Sequence, residues 1–496
     1  MSKTSSLDKK QWVLASLMCT MMLAAMDATI VSTAIPQIVG DLGGFSLFSW
    51  VFSIYLIAQT VTIPIYGKLA DIYGRKSVLL FGMVLFLTGS ALSAISWNMV
   101  SLIGFRFLQG LGAGSIMATV NTLAGDIYTV RERGKIQGWL SSVWGVAAIV
   151  GPTLGGWFAE YASWRWIFLV NIPIGFVAIL LLIVFLKENF EKKPHHIDYP
   201  GACMMFISGT VLIYTLMQSG QSWPWLSWMG IGMITLSIIL VILTILIEIK
   251  SREPIMPTWI WSKKILAGSN LAVIFFGAIL LGPGMYLPIY AQSVLGLGAM
   301  IAGFILASSS IGWPIASSLS SILYLKIGFR NTAMIGSVVI FLSVIAFIWI
   351  PFHVSPWLLV ADQILLGAGF GLLSTPTLVG VQSIVPWEKR GVVTGANMFS
   401  RYLGQSVGAA ILGSTFNTKM SQYLLRSPEN IQAQLPNVND VIHVLQSGNA
   451  SVLEEDFLRH GFYQSTHAVY LIMAGLAVLI FLFLTLLPKR FPIIPD

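Results

Sequence analysis

The stretch Gly145-Val-Ala-Ala148-Ile-Val-Gly151-Pro152-Thr-Leu-Gly155-Gly156, or GVAAIVGPTLGG, lies inside an apolar run from Ile136 to Phe158. Such a run is long enough to cross a hydrocarbon core about 30 Å thick. Pro152 has no amide hydrogen, so the carbonyl of Ala148 loses its helical partner and the helix can bend there. Gly145, Ala148, Pro152 and Gly156 fall at helical spacing and leave one face almost without side chains. That face predicts a neighbouring helix packed backbone to backbone, as at small-residue interfaces in membranes. Glycine and proline are commoner in membrane helices in any case, but their density in this short stretch asks for more than that.

The rest of the chain agrees with a membrane setting. Its 496 residues are 56% hydrophobic and only 10% charged, with a mean hydropathy of +0.81, whereas a soluble protein carries about a quarter charged residues. The net charge of +8 is spread over short loops between apolar spans, which reports orientation and excludes a nucleic-acid-binding face. Cys19 and Cys203 both sit within apolar spans, so neither a disulfide framework nor a metal cluster is available. Lys9 and Lys10 precede an apolar run that continues to about Ala34 without a convincing cleavage site, the pattern of an uncleaved first span.

Fourteen apolar segments are long enough to span, from 12–34 to 464–487, so both termini lie on one side. All but six of the 28 Lys and Arg residues fall on that side: Arg165, Lys419, Arg426 and Arg459 lie opposite, and Arg106 and Arg401 lie within spans. The positive-inside rule therefore predicts cytoplasmic termini in a plasma (inner) membrane. The chain also repeats itself. Arg106-Phe-Leu-Gln-Gly110-Leu-Gly112-Ala-Gly114 returns as Gln363-Ile-Leu-Leu-Gly367-Ala-Gly369-Phe-Gly371, and Arg131-Glu-Arg-Gly134 returns at the same offset as Glu388-Lys-Arg-Gly391. Duplicated halves with an unmatched pair of spans between them follow. The expected organisation is a bundle in 1–190, an inserted transmembrane helix pair with linkers in 191–262, and a second bundle in 263–496 that includes an outside loop at 417–463.

Several motifs carry a resemblance. Gly67-Lys-Leu-Ala-Asp71-Ile-Tyr-Gly74-Arg75-Lys76 is similar to the loop between spans two and three of the major facilitator superfamily, and the Arg106 stretch to its fourth-span motif. Gly145–Gly156 resembles the antiporter signature on the fifth span of drug:proton exporters. Asp27–Pro36 and Trp164–Pro173 resemble signatures of the fourteen-span drug:proton antiporter branch. The resemblance covers nearly the whole chain, with the motifs in order and on the right sides. It implies an all-α membrane protein with the major facilitator fold: two six-helix bundles with an inserted helix pair, 14 transmembrane helices in all.

Residues that carry chemistry stand out because they are charged in an apolar setting. Asp27 lies about fifteen residues into the first span, roughly 22 Å along the axis, where a carboxylate costs about 2.5–3.5 kcal/mol on insertion scales. An acid there suits proton coupling or cation binding, and Arg106 is its nearest partner by depth; the resemblance implies that this arginine tunes the proton site, the alternative being a permanent ion pair joining spans one and four. Asp362 sits nearer the outer end of span twelve, where it can assist proton movement, bind a cationic drug or simply face a watery vestibule, and Arg401 is its candidate counter-ion. Asp71 and Arg75 can pair at i, i+4, with Gly67 and Gly74 allowing a tight reversal, and the resemblance implies a latch on the cytoplasmic side. The second copy has Leu325 in place of Asp71, so the charged latch is expected on one side only. With Gly145, Gly151, Pro152, Gly155 and Gly156, these residues form the expected gating set. By resemblance Tyr55, Gln59, Trp144, Tyr286 and Trp313, with Asp27 and Asp362, line a substrate cavity. Glu160 and Glu248 read as solvated interfacial acids, and Ser451-Val-Leu-Glu454 as the start of a helix that runs into the last span.

The function expected is a proton-coupled antiporter, not an enzyme, that exports lipophilic, chiefly cationic drugs and dyes by alternating access. Its partners would be small substrates, protons and membrane lipids, with no cofactor, no metal, no nucleic acid and a monomeric working unit. No GxxxxGK[ST] phosphate loop is present, leaving the proton gradient as energy source. A dedicated exporter of one metabolite, lipid or siderophore is the alternative within transport. A membrane receptor or enzyme is the rival outside it, and an enzyme would need a catalytic constellation that the six histidines do not provide.

Overall fold

The computed structural model describes residues 2–43, 47–188, 198–219, 223–427 and 452–494. Among these the secondary structure is helical, apart from an isolated bridge between Ser219 and Trp223. The first bundle comprises α1 (Ser2–Ile30), α2 (Ile35–Leu42), α3 (Phe48–Tyr73), α4 (Arg75–Ala94), α5 (Met99–Ile127), α6 (Val130–Tyr161), α7 (Trp166–Leu169) and α8 (Asn171–Phe185). The inserted pair is α9 (Tyr199–Gln218) and α10 (Trp228–Lys250), followed by α11 (Trp259–Ser262). The second bundle comprises α12 (Lys264–Ser293), α13 (Ala299–Ala307), α14 (Ser309–Ile327), α15 (Phe329–Ile348), α16 (Pro356–Ser383), α17 (Arg390–Leu424) and α18 (Val452–Thr485).

Among the described residues, 13 helical segments are long and apolar enough to cross a membrane. The remaining expected span is α17, 35 residues long but more polar, because Arg390, Asn397 and Arg401 along it point into the protein rather than toward lipid. The first span is broken where the sequence reads as continuous. A short 3-10 turn, Val31–Ala34, separates α1 from α2, and Pro36 sits in the first turn of α2, where a missing amide costs nothing. The last span starts early, as expected: α18 runs unbroken from Val452, although Ser451 and residues 428–450 lie outside the described residues. Lys192, Lys193, His195 and His196 are also outside them.

Each half repeats the same packing. On α5, Gly110 and Gly114 meet α3 at Tyr55 and Thr62, while Gly112 meets α4 at Phe86. On α16, Gly367 and Gly371 meet α14 at Ser309 and Trp313, while Gly369 meets α15 at Ile340. The duplicated glycines thus hold the same three-helix unit twice, and any side chain there would push neighbouring backbones apart. Buried apolar residues group accordingly, one cluster including Leu17, Phe86, Met117 and Phe168, another including Phe276, Phe347, Leu412 and Met473.

The pair α9–α10 is zipped by hydroxyls, Thr215 to Ser237 at 3.0 Å and Thr244 to Ser208 at 2.9 Å. Helix α9 packs against α3 of one half and α17 of the other, whereas α10 packs on α9 and presents Ile238, Ile242, Leu246 and Ile249 outward. Glu248 departs from the solvated role expected of it: it is buried, and its carboxylate accepts from the Met256 amide at 3.1 Å.

Candidate functional site

Asp27 and Arg106 come together. Asp27 is fully buried and accepts from Arg106 Nη1 at 2.5 Å and from Gln109 Nε2 at 2.8 Å, while Gln109 Oε1 accepts from the same guanidinium at 2.7 Å. Helix α5 places Arg106 and Gln109 one turn apart, so both reach α1 from one face. Arg106 Nε donates to the Val51 carbonyl at 3.3 Å, and its guanidinium lies 4.2 Å from the Tyr55 ring centroid. Asn171 Nδ2 is 3.5 Å from Asp27 Oδ1 and donates to Ser90 Oγ at 3.0 Å. A charge-assisted network of this kind offsets part of the cost of two buried charges and leaves neither uncompensated. Tyr55 therefore serves as a wall of this site, and its hydroxyl is buried without a hydrogen-bond partner.

The second charged constellation closes the face that carries the chain termini. Gly74, at φ 88°, makes the turn between α3 and α4 that the sequence required of it. Arg75, fully buried, donates to Asp71 at 2.7 Å, to Asp126 at 2.9 Å and to the Trp387 carbonyl at 2.6 Å, with its guanidinium 3.6 Å from the Trp387 ring centroid. Asp71 in turn accepts from the amides of Gly391 at 2.9 Å and Val392 at 2.8 Å. Those amides open α17, so a carboxylate from the first half caps a helix of the second and faces its positive end. Arg390 adds a contact to the Gly125 carbonyl at 3.2 Å. Gly67 lies directly against the Gly391 backbone, leaving no room for a side chain on either.

The corresponding place on the other half is latched without an acid at the position of Asp71. Gly328 repeats the positive φ of 88°, and Ser321 meets Gly134 as Gly67 meets Gly391. Where Leu325 replaces the acid, the adjacent Tyr324 hydroxyl donates to the Val130 carbonyl at 2.5 Å and accepts from the Gly134 amide at 3.2 Å.

The glycine-rich stretch of α6 packs closely, but on a neighbouring face to the one its spacing suggested. Gly151 and Gly155 are buried against Thr29, Ile30 and Thr33 of the first span, and Thr29 Oγ1 donates to the Ala147 carbonyl at 2.9 Å. Gly145 faces Ser310 of α14, whereas Gly156 has open space where a side chain would stand, and Ala148 and Pro152 are only partly buried. The contact stripe is Ala147, Gly151 and Gly155, which crosses to the second half through Gly134, Gly138 and Gly145.

Asp362 and Arg401 do not meet. Asp362 accepts from Ser343 Oγ at 2.8 Å and from Gln363 Nε2 at 3.2 Å inside the second bundle. Arg401 instead borders a chamber of ≈ 40 Å³ between the halves, with Asn121, Gln137, Phe276, Trp313 and Asn397 among its neighbours. Of the aromatic candidates only Trp313 lines that chamber; Tyr286 is buried and stacks on Phe416 at 5.2 Å, and Trp144 packs partly buried against the first cluster. Gln59 reaches across the seam to the Tyr402 hydroxyl at 3.5 Å. Sequence reasoning assigned no role to Gln109, Asn171, Asp126, Trp387 or Tyr324. Gln109 and Asn171 stand inside motifs already singled out, while Asp126, in the last turn of α5, and Trp387, in the turn before α17, converge only in the fold.

The Major Facilitator Superfamily profile matches residues 17–409. The chain is similar to multidrug transporter protein MdtP of Bacillus subtilis (strain 168), 31% identical over 86% of this chain and 78% of that one. It is also similar to multidrug resistance protein 3 of the same organism, 32% identical over 90% of this chain and 88% of that one. Among solved structures, that of the human organic anion transporter MFSD10 (TETRAN) aligns with a TM-score of 0.65 at 13% identity, covering 96% of this chain and 99% of that one, a likeness of fold alone.

Proposed function

The chain belongs to the major facilitator superfamily, and we propose that it is a proton-coupled antiporter exporting small lipophilic compounds across the plasma membrane by alternating access. It is a transporter and not an enzyme, and its relatives are multidrug efflux proteins. The observation that carries the proton coupling is the fully buried Asp27, held by Arg106 and Gln109 at 2.5 and 2.8 Å. A carboxylate so placed releases its arginine when it takes up a proton, because the ion pair loses its charge on one side. Protonation then frees Arg106 to change partners and loosens α1 from α5. On this reading the terminus face is cytoplasmic by the distribution of Lys and Arg, and the Asp71–Arg75 latch seals it while the opposite side exchanges substrate. The membrane potential supplies about 2.3 kcal/mol per charge per 100 mV to each inward proton, before the pH difference is added. The working unit is a monomer in lipid, without cofactor or metal.

The test uses purified protein in proteoliposomes with an imposed pH gradient and an environment-sensitive lipophilic dye. Wild type is expected to move dye against its gradient while Asp27→Asn, inserted and folded, does not. Gradient-driven transport by Asp27→Asn at the wild-type rate would refute the assignment.

A further inference from the structure

The chamber between the halves has a charge of one sign. Arg401 lies eleven residues beyond Arg390 on α17, about 16 Å of helical rise from the terminus face, and so near the middle of a core about 30 Å thick. Its neighbours around the chamber are amides, hydroxyls, rings and a few aliphatic side chains, and no Asp or Glu is among the lining residues. Among the described residues Arg401 forms no salt bridge, its Nε is buried without a hydrogen-bond partner, and its guanidinium lies 5.2 Å from the Tyr402 ring centroid. Intramembrane cations are rarely left in that condition: they pair with a counter-charge or mark the path of a substrate. The two carboxylates of comparable setting are both engaged elsewhere, Asp27 by Arg106 and Gln109, Asp362 by Ser343 and Gln363. The carboxylates of the latch are likewise taken, by Arg75 and the start of α17. The counter-charge for Arg401 must then come from a molecule that enters.

We infer that the substrate this chamber selects is a lipophilic organic anion, an aromatic or polycyclic body bearing a carboxylate or similar group that pairs with Arg401. This rests on the exporter reading above and names the substrate class of its central site. A guanidinium offers a planar fork of donors that matches a carboxylate in two bonds, and Asn397 and Gln137 stand beside it as further polar groups. Phe276 and Trp313, 6.1 Å apart edge to face, supply the apolar wall for a ring system. At ≈ 40 Å³ the chamber holds water only, whereas drug-sized ligands need about 300–1,000 Å³, so the halves must part for a substrate to enter. Arg401, Asn397, Phe276 and Trp313 all belong to the second half and move with it as a preformed half-site. A cationic substrate would meet Arg401 with no acid on the lining to offset it. The cation preference expected from Asp27 and Asp362 therefore loses its basis, since neither borders the chamber.

The test uses the full chain in lipid nanodiscs and three isosteric probes, naphthalene-2-carboxylate, naphthalene-2-carboxamide and naphthalene-2-carboxamidinium, measured by equilibrium dialysis. The carboxylate is expected to bind at least tenfold tighter than the amidinium. Arg401→Gln should weaken the carboxylate tenfold or more and leave the carboxamide within threefold, and Arg401→Lys should restore part of the loss. An amidinium that binds as tightly as the carboxylate, no binding of any probe, or an equal loss of carboxylate and carboxamide in Arg401→Gln would each overturn the inference. If Arg401→Gln does not fold, the wild-type ranking of the three probes decides. Selective carboxylate binding without transport under a pH gradient upholds the site and counts against the exporter reading, so the two fail separately.

Discussion

Replacing Asp71 by asparagine should open the terminus face, and the structure sets the size of the effect. The carboxylate accepts from the Gly391 and Val392 amides at 2.9 and 2.8 Å and from Arg75 at 2.7 Å. Asparagine keeps one acceptor oxygen and turns an NH₂ group toward a second donor. One cross-half hydrogen bond to a charged acceptor is lost, worth about 1.5–3 kcal/mol, and an amide at the start of α17 is left without its acceptor. Arg75 keeps Asp126 at 2.9 Å and the Trp387 carbonyl at 2.6 Å, so part of the latch survives. The net cost to the closed arrangement is about 2–3 kcal/mol, a factor of roughly 30–150 in its population relative to the open one. The assay is pulsed electron–electron resonance between spin labels at Lys135 and Lys326, exposed positions on the two halves, in a background free of Cys19 and Cys203. Wild type should give a dominant short distance and Asp71→Asn a growing long-distance component. Superimposable distance distributions would show that the capping of α17 by Asp71 does not hold the halves together.

Two further outcomes separate readings of the same residues. Gly155→Leu should lower the thermal stability of the detergent-solubilised protein by the equivalent of about 1–3 kcal/mol or more, since the new side chain runs into the Ile30 backbone and Thr33; Gly156→Leu, with open space around it, should leave the melting temperature unchanged, and equal effects would mean the packing face is misassigned. Tyr324→Phe removes two neutral hydrogen bonds to the start of α6, each worth about 0.5–1.5 kcal/mol, so the same distance measurement should show a shift in the direction of Asp71→Asn but smaller, and a larger shift would contradict the charged side as the stronger latch.

Hydropathy made the helices legible because each span must hide its backbone from lipid within its own turns. The least apolar span, α17, is the one whose polar side chains serve the seam between the halves. Phase was harder to read than spacing. Gly145, Ala148, Pro152 and Gly156 and the observed Ala147, Gly151 and Gly155 are both stripes of small residues, roughly 100° apart around α6. What chooses between them is a partner the sequence does not locate, the Thr29 hydroxyl donating to the Ala147 carbonyl at 2.9 Å. Of the two glycines expected at the reversal, Gly74 makes it at φ 88°, as Gly328 does in the second half, whereas Gly67 lies inside α3 and serves close packing on the Gly391 backbone instead.

Pairing the intramembrane charges succeeded once and failed once, for a geometrical reason. Depth is one coordinate of a side chain and direction around the helix is the other. Asp27 and Arg106 agree in both, because α1 and α5 adjoin within one bundle. Asp362 and Arg401 share an apolar setting, but the first turns toward Ser343 on α15 and the second toward the seam. The same contrast runs through the duplicated motifs. Asp71 is matched by Leu325 with Tyr324 beside it, and Arg106 by Gln363, so at these positions the backbone repeats while the ionisable group does not, although Arg133 returns as Arg390. On the proposed reading that asymmetry divides the work. The first half carries the proton-binding pair and the charged latch, and the second presents an unpaired cation to the chamber. Proton and substrate then act on different halves, and each can bias the seam without competing for one carboxylate.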